Sequence, residues 1–163
     1  MNNDESKKMA AELTRKLYNL AKEKGRDNRY LTFAAATGGC RLVEIADAAK
    51  AVGYWLVIES PEERGKWYNA GGQWKELLKR LVFHWYERRN QWLVANGRAE
   101  ETDNLYVMNT PLRRELEAQG LSPVTFGQWL NRKVKPSFAS FCLLATFEGF
   151  RIDWREIPEE EEK

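Results

Sequence analysis

The chain has few of the residues that most often carry chemistry. Among its 163 residues there is one histidine, His84, and two cysteines, Cys40 and Cys142. The cysteines stand far apart, without metal-ligand spacing. Each falls in an apolar helical pattern, so both are expected to be reduced core thiols. No Ser-His-Asp set, metal cluster or phosphate-binding glycine loop appears, and Gly38-Gly39 and Gly71-Gly72 are too plain to form one. His84 reads as a packing or surface residue rather than a general base. Carboxylates are frequent but form no recognisable pair in the segments that look folded. An enzyme is therefore not expected, and neither is a metal or a cofactor. No stretch approaches the roughly 18 consecutive apolar residues of a membrane span. The polar, acidic start Met1-Asn2-Asn3-Asp4-Glu5 has no apolar signal region, and the expected location is the cytoplasm.

The composition is 43% hydrophobic and 31% charged, which suits a folded globular chain and not a disordered one. Seven Trp, six Tyr and seven Phe can fill a core from few positions. The net charge of +2 hides an asymmetry. The stretch Glu156–Lys163 carries five acidic residues and one basic, which leaves a moderately basic body that suits a polyanionic partner.

Apolar spacing divides the chain into four parts: residues 1–60, 61–104, 105–155 and an acidic tail, 156–163. In the first, Ala10, Leu13, Leu17, Leu20 and Ala21 recur at helical spacing up to Gly25. A short helix is expected over 27–37, with Asp27 as N-cap. A third follows over Leu42, Ile45, Ala46, Ala49 and Val52 to Gly53, and Tyr54–Ile58 reads as a strand. In the second part, Pro61 and Gly65 suggest a linker. Trp74, Leu77, Leu78, Leu81, Val82, Trp85, Trp92 and Leu93 then make a helical stripe, read first as a core helix joining two halves. Gly97–Asn104 reads as a loop. In the third part, Thr110-Pro111, Ser122-Pro123 and Pro136-Ser137 each open a helix. The first ends at Gly120, the second near Arg132 and the third at Gly149, before a strand over Phe150–Trp154.

The two ends share this plan. With one extra residue allowed near Pro136, Leu17 meets Leu112, Ala21 meets Leu116, Leu31 meets Phe126 and Ala35 meets Leu130. Leu42 then meets Phe138, Ile45 meets Phe141, Ala49 meets Ala145, Tyr54 meets Phe150 and Leu56 meets Ile152. The agreement lies in apolar pattern, glycine position and strand ending together, and it predicts a structural repeat.

Each unit resembles the lambda-repressor-like (Cro/CI-type) helix-turn-helix family. Leu17-Tyr18-Asn19-Leu20-Ala21-Lys22-Glu23-Lys24-Gly25 is similar to the family's second helix and turn glycine. Asn28–Phe33 stands where its recognition helix would. The stretch Arg41–Tyr54 resembles the following helix, with an Ala-x-x-Gly-Tyr-type close found in antitoxins and phage repressors. Leu112–Ser122 repeats the helix–glycine–turn form, and Pro123–Asn131 would be the second recognition helix. The resemblance covers roughly the first 60 and last 50 residues. It implies a mainly α fold: two small helix-turn-helix units joined by a long amphipathic helix, with a short strand after each unit. The function implied is that of a sequence-specific, repressor-like regulator of transcription that binds double-stranded DNA. Two fused, non-identical units suit an asymmetric or two-part site bound by one chain.

The expected DNA contacts follow from side-chain chemistry. Arg26, Asn28, Arg29, Tyr30 and Thr32 stand at the start of the first candidate helix. Thr125 and Gln128 stand at corresponding places in the second. Arg132, Lys133 and Lys135 follow it and suit phosphates, as does the Ser122 hydroxyl. Trp129 aligns with Ala34 and reads as core. The main rival is an antitoxin-like or adaptor protein that docks a protein partner, or a second copy of itself, on the Trp74–Trp92 stripe. An RNA-binding protein ranks lower, because the aromatic-glycine signatures of common RNA modules are missing.

Overall fold

The computed structural model describes residues 1–26, 28–37, 39–102, 110–131 and 133–158, with the side chains at 33 and 35–37 outside the description. The chain is mainly helical, with one small sheet. In order, the elements are α1 (Asn3–Glu23), α2 (Arg29–Thr37), α3 (Leu42–Ala51), β1 (Tyr54–Glu59), β2 (Trp67–Tyr68), α4 (Trp74–Ala95), α5 (Pro111–Ala118), α6 (Val124–Leu130), α7 (Phe138–Phe147) and β3 (Arg151–Glu156). Short 3-10 turns at Ala70–Gly72 and Ala99–Glu101 flank α4.

Local chemistry explains where these helices start. The Asn2 side chain caps α1 by accepting from the Glu5 amide, and Asp4 and Glu5 sit in the first turn, where carboxylates oppose the helix dipole. Ser6, Ala10, Thr14, Leu17 and Ala21 form the buried stripe of α1. Its first three members are small, which lets α1 lie close along α7 as well as α2. Thr110 caps α5, with Pro111 at the first helical position. Ser137 caps α7 through the Ser140 amide at 3.0 Å. Helix α7 is buried on nearly every side, by Phe138, Phe141, Cys142, Leu143, Leu144 and Ala145.

The sheet has the order β2-β1-β3, antiparallel throughout. All six residues of β1 are buried, as befits a central strand covered on both faces. Helix α1 is tied to the outer strand β3: the Trp154 indole donates to the Leu13 carbonyl at 2.8 Å, and Lys16 pairs with Asp153 at 2.7 Å. One apolar core runs through all of this, drawing on α1 to α7, β1 and β3 together. The two ends of the chain therefore share a core.

The pairing of the two ends has approximate twofold symmetry. Arg41 and Ser137 form an antiparallel bridge, and Val57 pairs with Asp153 in the sheet. Ser137 stands 96 positions after Arg41, and Asp153 stands 96 positions after Val57. Each residue thus meets the one that the expected repeat aligns with it. The neighbouring bonds are reciprocal: the Leu42 amide donates to Pro136 O at 3.0 Å, and the Phe138 amide donates to Cys40 O at 2.9 Å. Leu56 pairs with Trp154 and Ile58 with Ile152, which the same axis interchanges. The matched positions are also buried alike: Leu31 and Phe126, Leu42 and Phe138, Ile45 and Phe141, Ala49 and Ala145 are all inaccessible. The Ala35 side chain lies outside the described residues. Symmetry weakens away from the axis, because α2 is backed by α1 while α6 lies against α4.

Some expectations need correction. The linker expected around Pro61 and Gly65 leads into strand β2, which pairs with Ile58 and Glu59. Glu156 belongs to β3, not to a tail, and it pairs with Tyr54 and with the Lys24 ammonium. The strand begins at Arg151, one residue later than Phe150, and continues past Trp154. The N-cap expected of Asp27 lies outside the described residues. Asn28 performs that role, its Oδ1 accepting from the Leu31 amide at 3.2 Å.

Gly53 closes α3 at φ +86° and its counterpart Gly149 closes α7 at φ +80°. Both angles are left-handed, which disfavours any side chain. A Cβ at Gly53 would also collide with the Arg26 guanidinium. Gly53→Ala is expected to lower stability by about 1–2 kcal/mol from the backbone alone, with the Arg26 clash in addition. Urea denaturation checks this, and an unchanged midpoint would contradict it.

Candidate nucleic-acid interface

Helix α2 is anchored by Leu31 and Ala34, both buried. Arg29 and Thr32, one turn apart, face solvent. Asn28 is half-buried and spends its side-chain oxygen on the cap. Tyr30 is also half-buried. Burial and the neighbouring Cys40 thiol push its hydroxyl above the ordinary tyrosine value, which marks it as a packing residue. Arg26 donates from Nη1 to Val52 O at 2.7 Å and so serves the end of α3. Of the five residues expected in this unit, Arg29 and Thr32 remain presented to solvent, the Thr32 hydroxyl donating to Asn28 O at 3.4 Å.

Helix α6 is held by Phe126 and Trp129, both buried as expected of Trp129. Val124, Gln128 and Asn131 lie on its exposed side at a spacing of four and three. Thr125 is half-buried and its hydroxyl donates to Ser122 O at 2.7 Å. Ser122 Oγ accepts from the Val124 amide at 3.3 Å. Gln128, Lys133 and Lys135 are exposed; Arg132 lies outside the described residues.

The fold adds two residues that the sequence reading did not single out, Asn131 and Arg41. Asn131 extends the exposed row of α6. Arg41 sits on the approximate twofold axis, 65% exposed, opposite Ser137. Pattern reading placed Arg41 at the start of a helix and gave no sign of what it would face. The Arg41–Ser137 bridge joins the segments that follow α2 and α6. Those segments have unusual charge: residues 28–43 contain Arg29 and Arg41 and no carboxylate, and residues 118–147 contain Arg132, Lys133 and Lys135 and no carboxylate. Glu44 approaches Arg41 only at 4.0 Å, in an exposed pair of the kind that contributes little.

The Trp74–Trp92 stripe is largely internal. Leu77, Leu78, Leu81, Val82, Trp85 and Leu93 are buried, and Trp74 and Trp92 are half-buried against the same core. The first reading of that helix, as a core element, matches the structure. Trp74 and Trp92 keep part of their surface, and Phe83 and Val94 of the same helix are exposed. Cys40 and Cys142 are buried free thiols, raised by desolvation.

On the side of α4 facing β1 and β2 lies an arrangement the sequence did not reveal. His84 is flanked by two carboxylates, Glu148 at 2.7 Å and Glu62 at 2.5 Å. They come from positions 22 residues before and 64 residues after it, a separation no local motif can show. Nearby, the buried Glu59 carboxylate accepts from the Gly65 amide at 2.8 Å and from Arg64 at 3.1 Å, with Arg151 at 3.5 Å. The Gly65 amide chiefly, then the two guanidinium groups, hold Glu59 below its ordinary value of 4.5 against the opposing effect of burial. A lowered carboxylate adds stability above the ordinary value, and that stability is lost as pH falls through the lowered one. Glu59→Gln is therefore expected to lower Tm at neutral pH, and the gap to wild type should close on acidification. A gap that stays constant from pH 7 to about pH 3 contradicts this.

Among the described residues no three His, Cys, Asp or Glu side chains group as a metal site, and no helix is long and apolar enough to cross a membrane. No family model, curated protein or solved structure matches the chain.

Proposed function

We propose that this protein binds double-stranded DNA as a sequence-specific regulator, with α2 and α6 as paired reading helices in two helix-turn-helix-like units. The observation that carries this reading is the Arg41–Ser137 bridge, which unites two carboxylate-free, basic segments on the approximate twofold axis. Segments with cations and no carboxylates of their own attract phosphate, and Glu44 offsets Arg41 only from 4.0 Å in an exposed pair. The exposed rows agree with that use. Gln128 and Asn131 have the amide groups that pair with adenine, and Arg29 has the fork that pairs with guanine. Lys133, Lys135 and Arg41 suit phosphates, which set register and affinity.

In this reading one chain does the work of a dimer. Two half-sites related by an approximate dyad would be bound by a single molecule, their sequences differing as Arg29 and Thr32 differ from Gln128 and Asn131. Covalent linkage places the second helix at high effective concentration once the first has docked. The resemblance of each unit to the lambda-repressor-like family points the same way, toward a repressor.

The test is binding to a random-sequence duplex at low and moderate salt, followed by selection from a random pool. Affinity should fall steeply with salt, because neutralised phosphates release counterions. The selected duplexes should share a two-part site bound by one chain. Absence of binding at low salt rejects the reading.

A further inference from the structure

An open groove of about 550 Å³ runs beside α4, lined in part by Glu62, Tyr68, Arg80, Phe83, His84 and Phe150. His84 stands at its edge with a side chain 14% exposed and its ring edge-on to Phe150, centroids 5.0 Å apart. The DNA reading makes no use of this region.

The ring makes contacts on both nitrogens. Nδ1 lies 2.7 Å from Glu148 Oε1 and Nε2 lies 2.5 Å from Glu62 Oε1. An ionised carboxylate can only accept, and a neutral imidazole has one N–H and one lone pair. A neutral ring can therefore satisfy one carboxylate while its lone pair confronts the other. With both carboxylates ionised, the two contacts together require the imidazolium.

The two carboxylates are not equally free to leave. The Glu148 side chain is fully buried, and Arg88 grips it twice, Nε to Oε1 at 2.9 Å and Nη2 to Oε2 at 2.6 Å. Glu62 is 61% exposed, on the turn between β1 and β2. Losing a buried, paired carboxylate is costly, while an exposed contact is cheap to break. We propose that Glu62 and His84 form a proton-operated latch: the imidazolium holds the turn at 61–63 against the groove wall, and loss of its proton to solvent leaves Nδ1–H on Glu148 and releases Glu62. The release is local, because Glu59 still holds the Gly65 amide and Arg64 still donates to Gly149 O at 2.8 Å. The charged groups around the ring come from three elements: Glu62 and Glu63, with Arg64 behind them, on the turn; Glu148 at the end of α7; and Arg80, Glu87 and Arg88 on α4 itself. With Glu62 withdrawn, the rings of Tyr68, Phe83 and Phe150 and the Arg80 guanidinium, which stacks on Tyr68 at 3.5 Å, are left more open to a ligand.

The lone histidine makes the test clean, since a single imidazole Cε1–H signal reports the ring in the intact protein. That signal and the amide resonances of Glu62 and Glu63 are followed together across the pH range in which the protein stays folded. The expected result is that ring and turn move over the same interval. In Glu62→Gln the ring should still titrate, but the turn should not follow it, because a carboxamide can accept from the imidazolium or donate to the bare nitrogen. Three results overturn the proposal: a ring signal that does not move in this range, turn resonances that stay still while the wild-type ring titrates, or a Glu62→Gln turn that moves as the wild type does. None of these depends on DNA binding.

Discussion

Reversing the charge at Arg41, Lys133 and Lys135 together is expected to abolish duplex binding at moderate salt while leaving the fold intact. All three side chains are exposed, and none supports the core. Surface substitutions of this kind normally change stability by less than about 0.5 kcal/mol. Their effect on binding is much larger. Each phosphate contact contributes close to one unit to the slope of log K against log salt. Neutralising three such contacts should therefore reduce the slope by about three. Reversal replaces attraction with repulsion, so the affinity loss should reach about 100-fold or more at moderate salt. The control is reversal of Lys7, Lys8 and Arg15, which are exposed on α1 and lie outside the two carboxylate-free segments. It removes the same net charge. If both triple variants lose binding equally, the attraction is a property of net charge and the axis surface is not the interface. Loss confined to the first variant places the duplex across the Arg41–Ser137 bridge.

The sequence revealed most of the helices because their ends are written in short-range chemistry. Thr110-Pro111, Pro136-Ser137 and the closing glycines at 25, 53, 120 and 149 fix boundaries within a few residues of where they fall. The shared order of elements in the two ends, three helices and a strand, was legible for the same reason, because apolar spacing and closing glycines mark each element. How the two ends meet was not legible. The reciprocal bonds at Arg41–Ser137 and the centring of β1 on β3 are long-range pairings, and periodicity carries no information about a partner 96 positions away. Strand β2 was missed because two residues give no alternation to read. Among candidate contacts, residue type alone overcounted. Asn28, Thr125 and Ser122 are good readers by chemistry, but polar residues at helix starts are equally good caps, and the backbone claims them first. Arg26 was lost to the carbonyl of Val52 in the same way. His84 shows the converse: a residue read as a packing or surface group has polar partners on two distant elements.

Phe126→Ala is expected to have the largest effect on stability and to disable the second reading helix in the same step. The Phe126 ring is inaccessible, with the Trp129 ring at 5.4 Å, Trp85 at 5.6 Å and Tyr86 at 6.2 Å. Truncating such a ring costs about 3–5 kcal/mol, from lost burial and from the cavity left behind, a large share of the roughly 5–15 kcal/mol that holds a domain together. The position also matters for a second reason. Helix α6 has seven residues, too few to persist by its own hydrogen bonds. Phe126 and Trp129 hold it against α4, and through that contact Gln128 and Asn131 keep their shared face. Leu31 stands at the matching position in α2, so Phe126→Leu copies what the first unit already uses and should restore part of the loss. Urea denaturation measures the stability series, and duplex binding measured well below the unfolding transition separates the two effects. Phe126→Ala should lose sequence preference at one half-site while keeping most of the salt-dependent affinity, because Arg41, Lys133 and Lys135 remain. Phe126→Leu should regain that preference. If the alanine variant is strongly destabilised yet still discriminates both half-sites as wild type does, α6 is not a reader, and base recognition must come from α2 alone.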